Sequence, residues 1–138
     1  MDYLLDTCTV SDFVRGDENT LYQLKEKSPL QVKISAITAY ELHYGLQKNK
    51  QIRKSTKKAV LRFLGDIEIV PFDIATANFA TEIRTNLELA GKPIGAYDLL
   101  IAATAMACNL ILVTSHEKEF VGVSELKIEN WRSPVKPD

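Results

Sequence analysis

The sequence predicts an α/β sandwich built on a parallel sheet. Short aliphatic or β-branched runs alternate along the chain with stretches at helical spacing, the pattern left by repeated strand–helix–strand crossovers. The run Leu110-Ile111-Leu112-Val113 is apolar without a break, which suits a strand covered on both faces. The stretch before it, from about Tyr97 to Cys108, is apolar nearly all round and belongs in the interior as a helix.

Tyr3-Leu4-Leu5 opens the chain as a short buried strand that ends at Asp6. From about Asp17 to Lys27 the spacing of Leu21 and Leu24 predicts a helix, which Ser28-Pro29 stops. Val32-Lys33-Ile34-Ser35 alternates and is β-branched, giving a second strand. A helix follows from Thr38 to about Gln47, with Leu42, Gly45 and Leu46 at helical spacing. The next spans about Gln51 to Leu64, with Ile52, Ala59, Val60, Phe63 and Leu64 on its inner face. Glu68-Ile69-Val70 is a third strand, closed by Pro71. Asp73 caps a long helix that runs to about Ala90, where Gly91 terminates it. Lys92-Pro93-Ile94-Gly95 leads into the buried helix and the fourth strand, and Lys127 to Trp131 is expected as a last edge strand. In sheets of this kind, sites form beyond the carboxyl ends of the strands.

The 138 residues fit one domain, residues 1–138, with a frayed tail from about 133 to 138. Seventeen basic residues against 18 acidic ones give a net charge of -1, which excludes a globally basic nucleic-acid binder and leaves room for a local basic face. No apolar run reaches the ~18 residues of a membrane span. The start, Met1 to Asp6, has no basic region and is acidic, unlike a signal or transit peptide. Two cysteines, Cys8 and Cys108, imply no disulfide framework and fit a reducing compartment, so a cytoplasmic protein is expected. Cys8, His43, Cys108 and His116 lack the paired short spacings of a zinc site.

Four acids fall where strands hand over to helices. Asp6 follows the first strand, Glu41 lies early in the helix after the second, Asp98 opens the buried helix, and Glu119 lies just past the fourth strand. Each has a plain structural reading. Asp6 suits a turn, Glu41 completes a capping box with Thr38, Asp98 complements a helix dipole, and Glu119 sits in a charged run. Taken together they point elsewhere. Asp98 precedes Leu99-Leu100-Ile101-Ala102-Ala103, where an unpaired acid is expensive. Acids converging there need a counter-charge, and a hard cation such as Mg²⁺ or Mn²⁺ suits oxygen donors. His43, beside Glu41, is expected to be packed or hydrogen-bonded.

Between Glu41 and Asp66 no acid occurs, while Lys48, Lys50, Arg53, Lys54, Lys57, Lys58 and Arg62 do. The helix here has an apolar inner face and a basic outer one. A solubilising surface is one reading. A positive helix beside an acidic metal site also suits a polyanion whose phosphates it holds while one phosphodiester reaches the metal.

Four segments, Leu4-Leu5-Asp6-Thr7, Ile37 through Gly45 (with Thr38 and Glu41), Pro93 through Ala102 (with Asp98), and Val113-Thr114-Ser115-His116-Glu117-Lys118-Glu119-Phe120, fall in the order and spacing of the PIN domain. The chain resembles VapC-type toxins, the ribonuclease halves of VapBC toxin–antitoxin pairs. The resemblance implies an α/β/α sandwich with a central, mainly parallel sheet. It implies a Mg²⁺-dependent endoribonuclease, with Mn²⁺ as substitute, that cuts structured RNA, commonly tRNA. It further implies a homodimer held inactive by a VapB-type antitoxin in a larger assembly that meets operator DNA only through the antitoxin. Asp6, Glu41 and Asp98 match the family's three core acids, and Glu119 matches a fourth. Two positions depart from the family's pattern: Cys8 where an Asn frequently stands, and His116 where an Asp or Asn often does.

On this reading Asp6, Glu41 and Asp98, with Glu119 as a further candidate, hold the metal. Thr7, Thr114, Ser115 and His116 support the site, and Arg53, Lys54, Lys57 and Lys58 contact RNA. Attack by water predicts 5′-phosphate and 3′-hydroxyl products. A haloacid-dehalogenase-like phosphatase also begins with a strand ending in Asp, but it needs a second Asp where Cys8 stands. The remaining alternative is a catalytically weak PIN fold that binds RNA or antitoxin without cutting.

Overall fold

The computed structural model describes residues 1–135. Strands β1 (Tyr3–Leu5), β2 (Val32–Ser35), β3 (Glu68–Val70), β4 (Ile111–Val113) and β5 (Ile128–Glu129) form one sheet in the order β3-β2-β1-β4-β5, with every pairing parallel. Helices α1 (Thr7–Val14), α2 (Glu18–Lys25), α3 (Ala36–Lys48), α4 (Lys54–Asp66), α5 (Ile74–Leu89), α6 (Ala96–Ala107) and the short α7 (Glu117–Phe120) provide the connections and cover the sheet. The chain steps outward from β1 to β2 and β3, then returns through α5 and α6 to lay β4 on the other side of β1. The strand order therefore reverses between β1 and β4, and the crevice at such a reversal opens at the carboxyl ends of those two strands.

Alternation along the strands makes two cores. Leu5, Ile34 and Val113 pack with Val10 of α1, Leu42 of α3, and Val60 and Leu64 of α4. Leu4 and Leu112 face the opposite way, against Ile101, Ala102 and Ala105 of α6. The other side of α6, with Leu99 and Ala103, packs on Ala80, Ile83 and Leu87 of α5. Its all-round apolarity follows from being sandwiched between the sheet and α5.

Two helices, α1 and α7, stand outside the sequence expectation. The first turns of α1 read Thr-Cys-Thr-Val-Ser, poor helix formers. Capping and tertiary packing override that preference. Asp6 Oδ1 accepts the Thr9 amide at 2.8 Å, the Thr9 hydroxyl donates to the Val113 carbonyl at 2.9 Å, and Val10 is fully buried. α4 begins at Lys54, so Ile52 precedes it, and Ala59 is exposed rather than on the inner face. β5 is shorter than expected, two residues long. Of the tail expected to fray, Ser133 is held in place: its amide donates to Asp17 and its hydroxyl accepts from the Asn19 amide. Residues 136–138 lie outside the described residues.

Candidate active site

Asp6 sits at the end of β1, the central strand. Its backbone amide donates to the Val113 carbonyl at the end of β4 at 3.0 Å, so the carboxylate is fixed at the strand reversal. It is 3% exposed, and burial raises its pKa above the ordinary carboxylate value, against the opposing pull of Thr114 and Thr9. Asp98, in the first turn of α6, also titrates above its ordinary range. Burial is the largest cause, followed by the charges of Asp6, Glu119 and Glu41. Side chains from four separate segments therefore converge on one end of the sheet.

Another buried acid on the same strand-helix connection is a useful contrast. Asp12, in α1, is 2% exposed. Arg132 grips it with two hydrogen bonds of 2.9 Å, and Arg15 pairs with it as well. Asp12 is thus neutralised and clamps the C-terminal segment over α1. Among the described residues, no Lys or Arg pairs with Asp6, Glu41, Asp98 or Glu119. A paired buried acid serves the fold, whereas an unpaired cluster at a strand reversal is a candidate functional site.

The structural readings of the four acids separate. Asp6 does cap α1 through Thr9. Glu41 caps nothing: Ser35 is the N-cap of α3, accepting the Thr38 amide at 3.0 Å. Glu41 Oε1 instead accepts the Thr7 hydroxyl at 2.7 Å, and Thr7 also reaches the Thr38 hydroxyl at 3.3 Å. Thr7 therefore fixes the orientation of Glu41 from the residue next to Asp6. Glu119 is exposed in α7. The Thr114 hydroxyl accepts the His116 amide at 3.0 Å, and the buried Ser115 Oγ has no hydrogen-bond partner among the described residues. The two positions that depart from the family's pattern touch each other: Cys8 Sγ lies 3.7 Å from both ring nitrogens of His116. Burial and the charges of Asp6 and Asp98 push the Cys8 thiol up to about 11, so it is a neutral thiol at pH 7. His43, expected to be packed or hydrogen-bonded, is exposed and makes no hydrogen bond among the described residues.

Among the described residues, no three acidic, histidine or cysteine side chains stand close enough to enclose an ion as they lie. The donors nevertheless match a hard cation in type. They are four carboxylates, two of them, Asp6 and Asp98, disfavoured as bare anions by burial, and Asp98 also by the charges of the other three. Arg53, Lys54, Lys57, Lys58 and Arg62 are exposed around α4, and none pairs with an acid among the described residues.

Residues 3–126 match the PIN domain model. Ribonuclease VapC2 of Rickettsia felis is 38% identical over 135 residues, covering 95% of this chain and 98% of that protein. The tRNA(fMet)-specific endonuclease VapC of Shigella flexneri is 35% identical, covering 71% of this chain and 74% of that protein. Among solved structures, VapBC2 from Rickettsia felis bound to a DNA fragment from its promoter superposes with a TM-score of 0.84. It is 34% identical, with 95% of this chain and 99% of that one covered. The chain belongs to the PIN-domain family. Within that family it groups with the VapC proteins. No helix among the described residues is long and apolar enough to cross a membrane.

Since Asp98 is disfavoured as an anion, replacing it with Asn should not weaken the fold. In EDTA at pH 7, Asp98→Asn should melt as high as the unsubstituted protein or a few degrees higher. A raised folded-state pKa means that ionised Asp98 opposes folding at neutral pH, and this opposition disappears as the carboxyl protonates in both states. The gap should therefore close as the pH falls toward 3.8, the ordinary value. Thermal melts across that range check it, and a variant that melts lower at pH 7 contradicts the electrostatic account.

Proposed function

We propose that the chain is the ribonuclease toxin of a VapBC-type pair, a Mg²⁺-dependent endoribonuclease that hydrolyses phosphodiesters of structured RNA, with tRNA as the first substrate class to test. The observation that carries this reading is the electrostatic convergence of Asp6, Glu41 and Glu119 on Asp98 without a paired cation from the chain. The relatives named ribonuclease and tRNA(fMet)-specific endonuclease support the choice of RNA.

Asp6, Glu41 and Asp98 would hold the ion, directly or through water, with Glu119 as the fourth donor. When bound, such an ion activates water for attack and stabilises charge on the phosphate and leaving oxygen. The chain's own residues set up that chemistry. Thr7 orients Glu41, and Thr9 and Thr114 favour the ionised form of Asp6 against the larger effect of burial. His116, the residue before α7 and in contact with Cys8, suits a phosphate contact or proton carrier on the RNA side rather than a Mg²⁺ ligand. Arg53, Lys54, Lys57 and Lys58 take flanking phosphates. The products carry 5′-phosphate and 3′-hydroxyl ends, because water and not the 2′-hydroxyl attacks.

A VapB-type antitoxin is the proposed inhibitor, with a homodimer of this chain within the larger complex. Operator DNA is reached through the antitoxin. The solved VapBC2 complex on promoter DNA supports that arrangement. The compartment is the cytoplasm, where the RNA is.

Asp6→Asn and Asp98→Asn should stay folded and cut RNA on the order of a hundredfold more slowly or worse, the scale of losing one preorganised charge at a transition state. EDTA should abolish cleavage and Mg²⁺ restore it. Gel analysis of RNA with the purified proteins checks both, and RNA bound but never cut by the unsubstituted chain would favour a binding module instead. Glu119→Gln should raise the Mg²⁺ concentration for half-maximal cleavage, whereas His116→Asn should leave it nearly unchanged. Titrating Mg²⁺ against rate tests the assignment, and the reverse pattern defeats it. Replacing Arg53, Lys54, Lys57 and Lys58 together by Gln should weaken RNA binding and flatten its dependence on salt, since fewer counterions are released. An unchanged slope would return α4 to a plain surface role.

A further inference from the structure

Two of the four acids are preceded by a tyrosine: Tyr40 before Glu41 and Tyr97 before Asp98. The fold brings these tyrosines together. Their hydroxyls lie 3.1 Å apart and their rings meet edge-on at 5.6 Å and 64°. One turn along α3, the Tyr44 ring lies nearly parallel to Tyr40 at 6.3 Å and 20°. A further turn on, Lys48 Nζ stands 5.7 Å from the centre of the Tyr44 ring. Tyr40, Tyr44 and Lys48 are spaced by four residues and so share one helix face. The three tyrosines are 50%, 53% and 46% exposed. Among the described residues only one other aromatic side chain, Tyr22, is exposed, so these rings form a localised ledge.

Charge narrows what the ledge can receive. A polyanion approaching this end of the sheet meets four carboxylates, and among the described residues no Lys or Arg pairs with them. Until a cation is bound there, charge opposes phosphate contacts next to the acids. Stacking of a base on an aromatic face does not depend on net charge and is open to every base. A cation at the far end of the ledge can then take up the next phosphate. Only an unpaired base exposes its face to such a surface.

We infer that Tyr40, Tyr44 and Tyr97 form a stacking platform for unpaired bases of the RNA strand beside the acid site, with Lys48 holding a neighbouring phosphate. This rests on the ribonuclease reading and adds to it a subsite and a preference: the nucleotides next to the cut must be single-stranded when bound. Tyr97 joins the platform to Asp98 through one peptide bond, and Tyr40 joins it to Glu41 in the same way. A base seated there would thus fix the register of the strand against the acids.

The test is fluorescence anisotropy in EDTA, where no cleavage intrudes, with a labelled short RNA of mixed sequence, used single-stranded and annealed to its complement. Tyr44→Ala and Tyr97→Ala should each weaken single-strand binding by between about five- and a hundredfold. Duplex binding should stay within about twofold, and the salt slope should not change, because no phosphate contact is lost. Tyr44→Leu, which keeps apolar bulk without a flat π-face, should behave like Tyr44→Ala, and Tyr44→Phe like the unsubstituted chain. The quadruple Gln variant of α4 provides the opposite signature, a flattened slope. If the unsubstituted chain binds and cuts RNA while the tyrosine variants bind it equally well, the platform is refuted and the ribonuclease reading stands. If the unsubstituted chain neither binds nor cuts RNA, both fall. If Tyr44→Ala changes the sedimentation of the protein and not its affinity for single strands, the ledge is an interface between copies and the proposal is overturned.

Discussion

The folded chain is arranged around carboxylates placed where its strand order reverses. Burying Asp6 at the end of the central strand removes it from water, which is costly for an anion. The chain has a ready remedy for a buried acid, since it surrounds Asp12 with Arg132 and Arg15. At Asp6 it supplies Thr9, Thr114 and the influence of His116 but no paired Lys or Arg among the described residues, and it places Asp6, Glu41 and Glu119 within electrostatic reach of Asp98. Repulsion left standing among four acids is a poor device for stability and a good one for capturing a cation. The rest of the fold bears the strain: two apolar cores hold β1 and β4 together, and the fully buried Leu4, Leu5, Leu112 and Val113 leave the reversal little freedom to open.

The strands and the long helices were legible because their patterns are strong. An unbroken aliphatic run gave β4, and all-round apolarity gave α6, whose two neighbours require it. Helix α1 was not legible, since Thr-Cys-Thr-Val-Ser disfavours a helix in isolation. A local signal was nevertheless present. Asp6-x-x-Thr9, Asp17-x-x-Thr20, Ser35-x-x-Thr38 and Asp73-x-x-Thr76 each start a helix, with the first side chain accepting the amide of the last. Reading that repeat would have placed the start of α1 and released Glu41 from a capping role.

The placing of the four acids at strand-to-helix junctions was legible in the sequence, and in the fold the charges of Asp6, Glu119 and Glu41 act on Asp98. Other parts of the site depend on contacts between distant residues that no local pattern encodes. The Thr7 bond to Glu41 spans 34 positions, the Cys8–His116 contact 108, and the Arg132 clamp on Asp12 120. The Cys8–His116 contact joins the two departures from the family's pattern, which read as unrelated along the chain. Charge is also segregated along the sequence for a spatial reason. The acid-free interval from Leu42 to Gly65 builds the end of α3 and all but the last residue of α4, so its seven Lys and Arg residues are concentrated on these two helices and the turn between them.

The central claim is that the acids at the β1–β4 reversal form one cation site built on Asp98. Thermal unfolding titrated with Mn²⁺ tests it without reference to any RNA. A ligand that binds the native state raises the melting temperature with its concentration. The unsubstituted protein should show such a rise, and Asp98→Asn should show a much smaller one despite folding at least as stably in EDTA. Equal Mn²⁺ shifts in the two proteins, or none in either, would contradict the account.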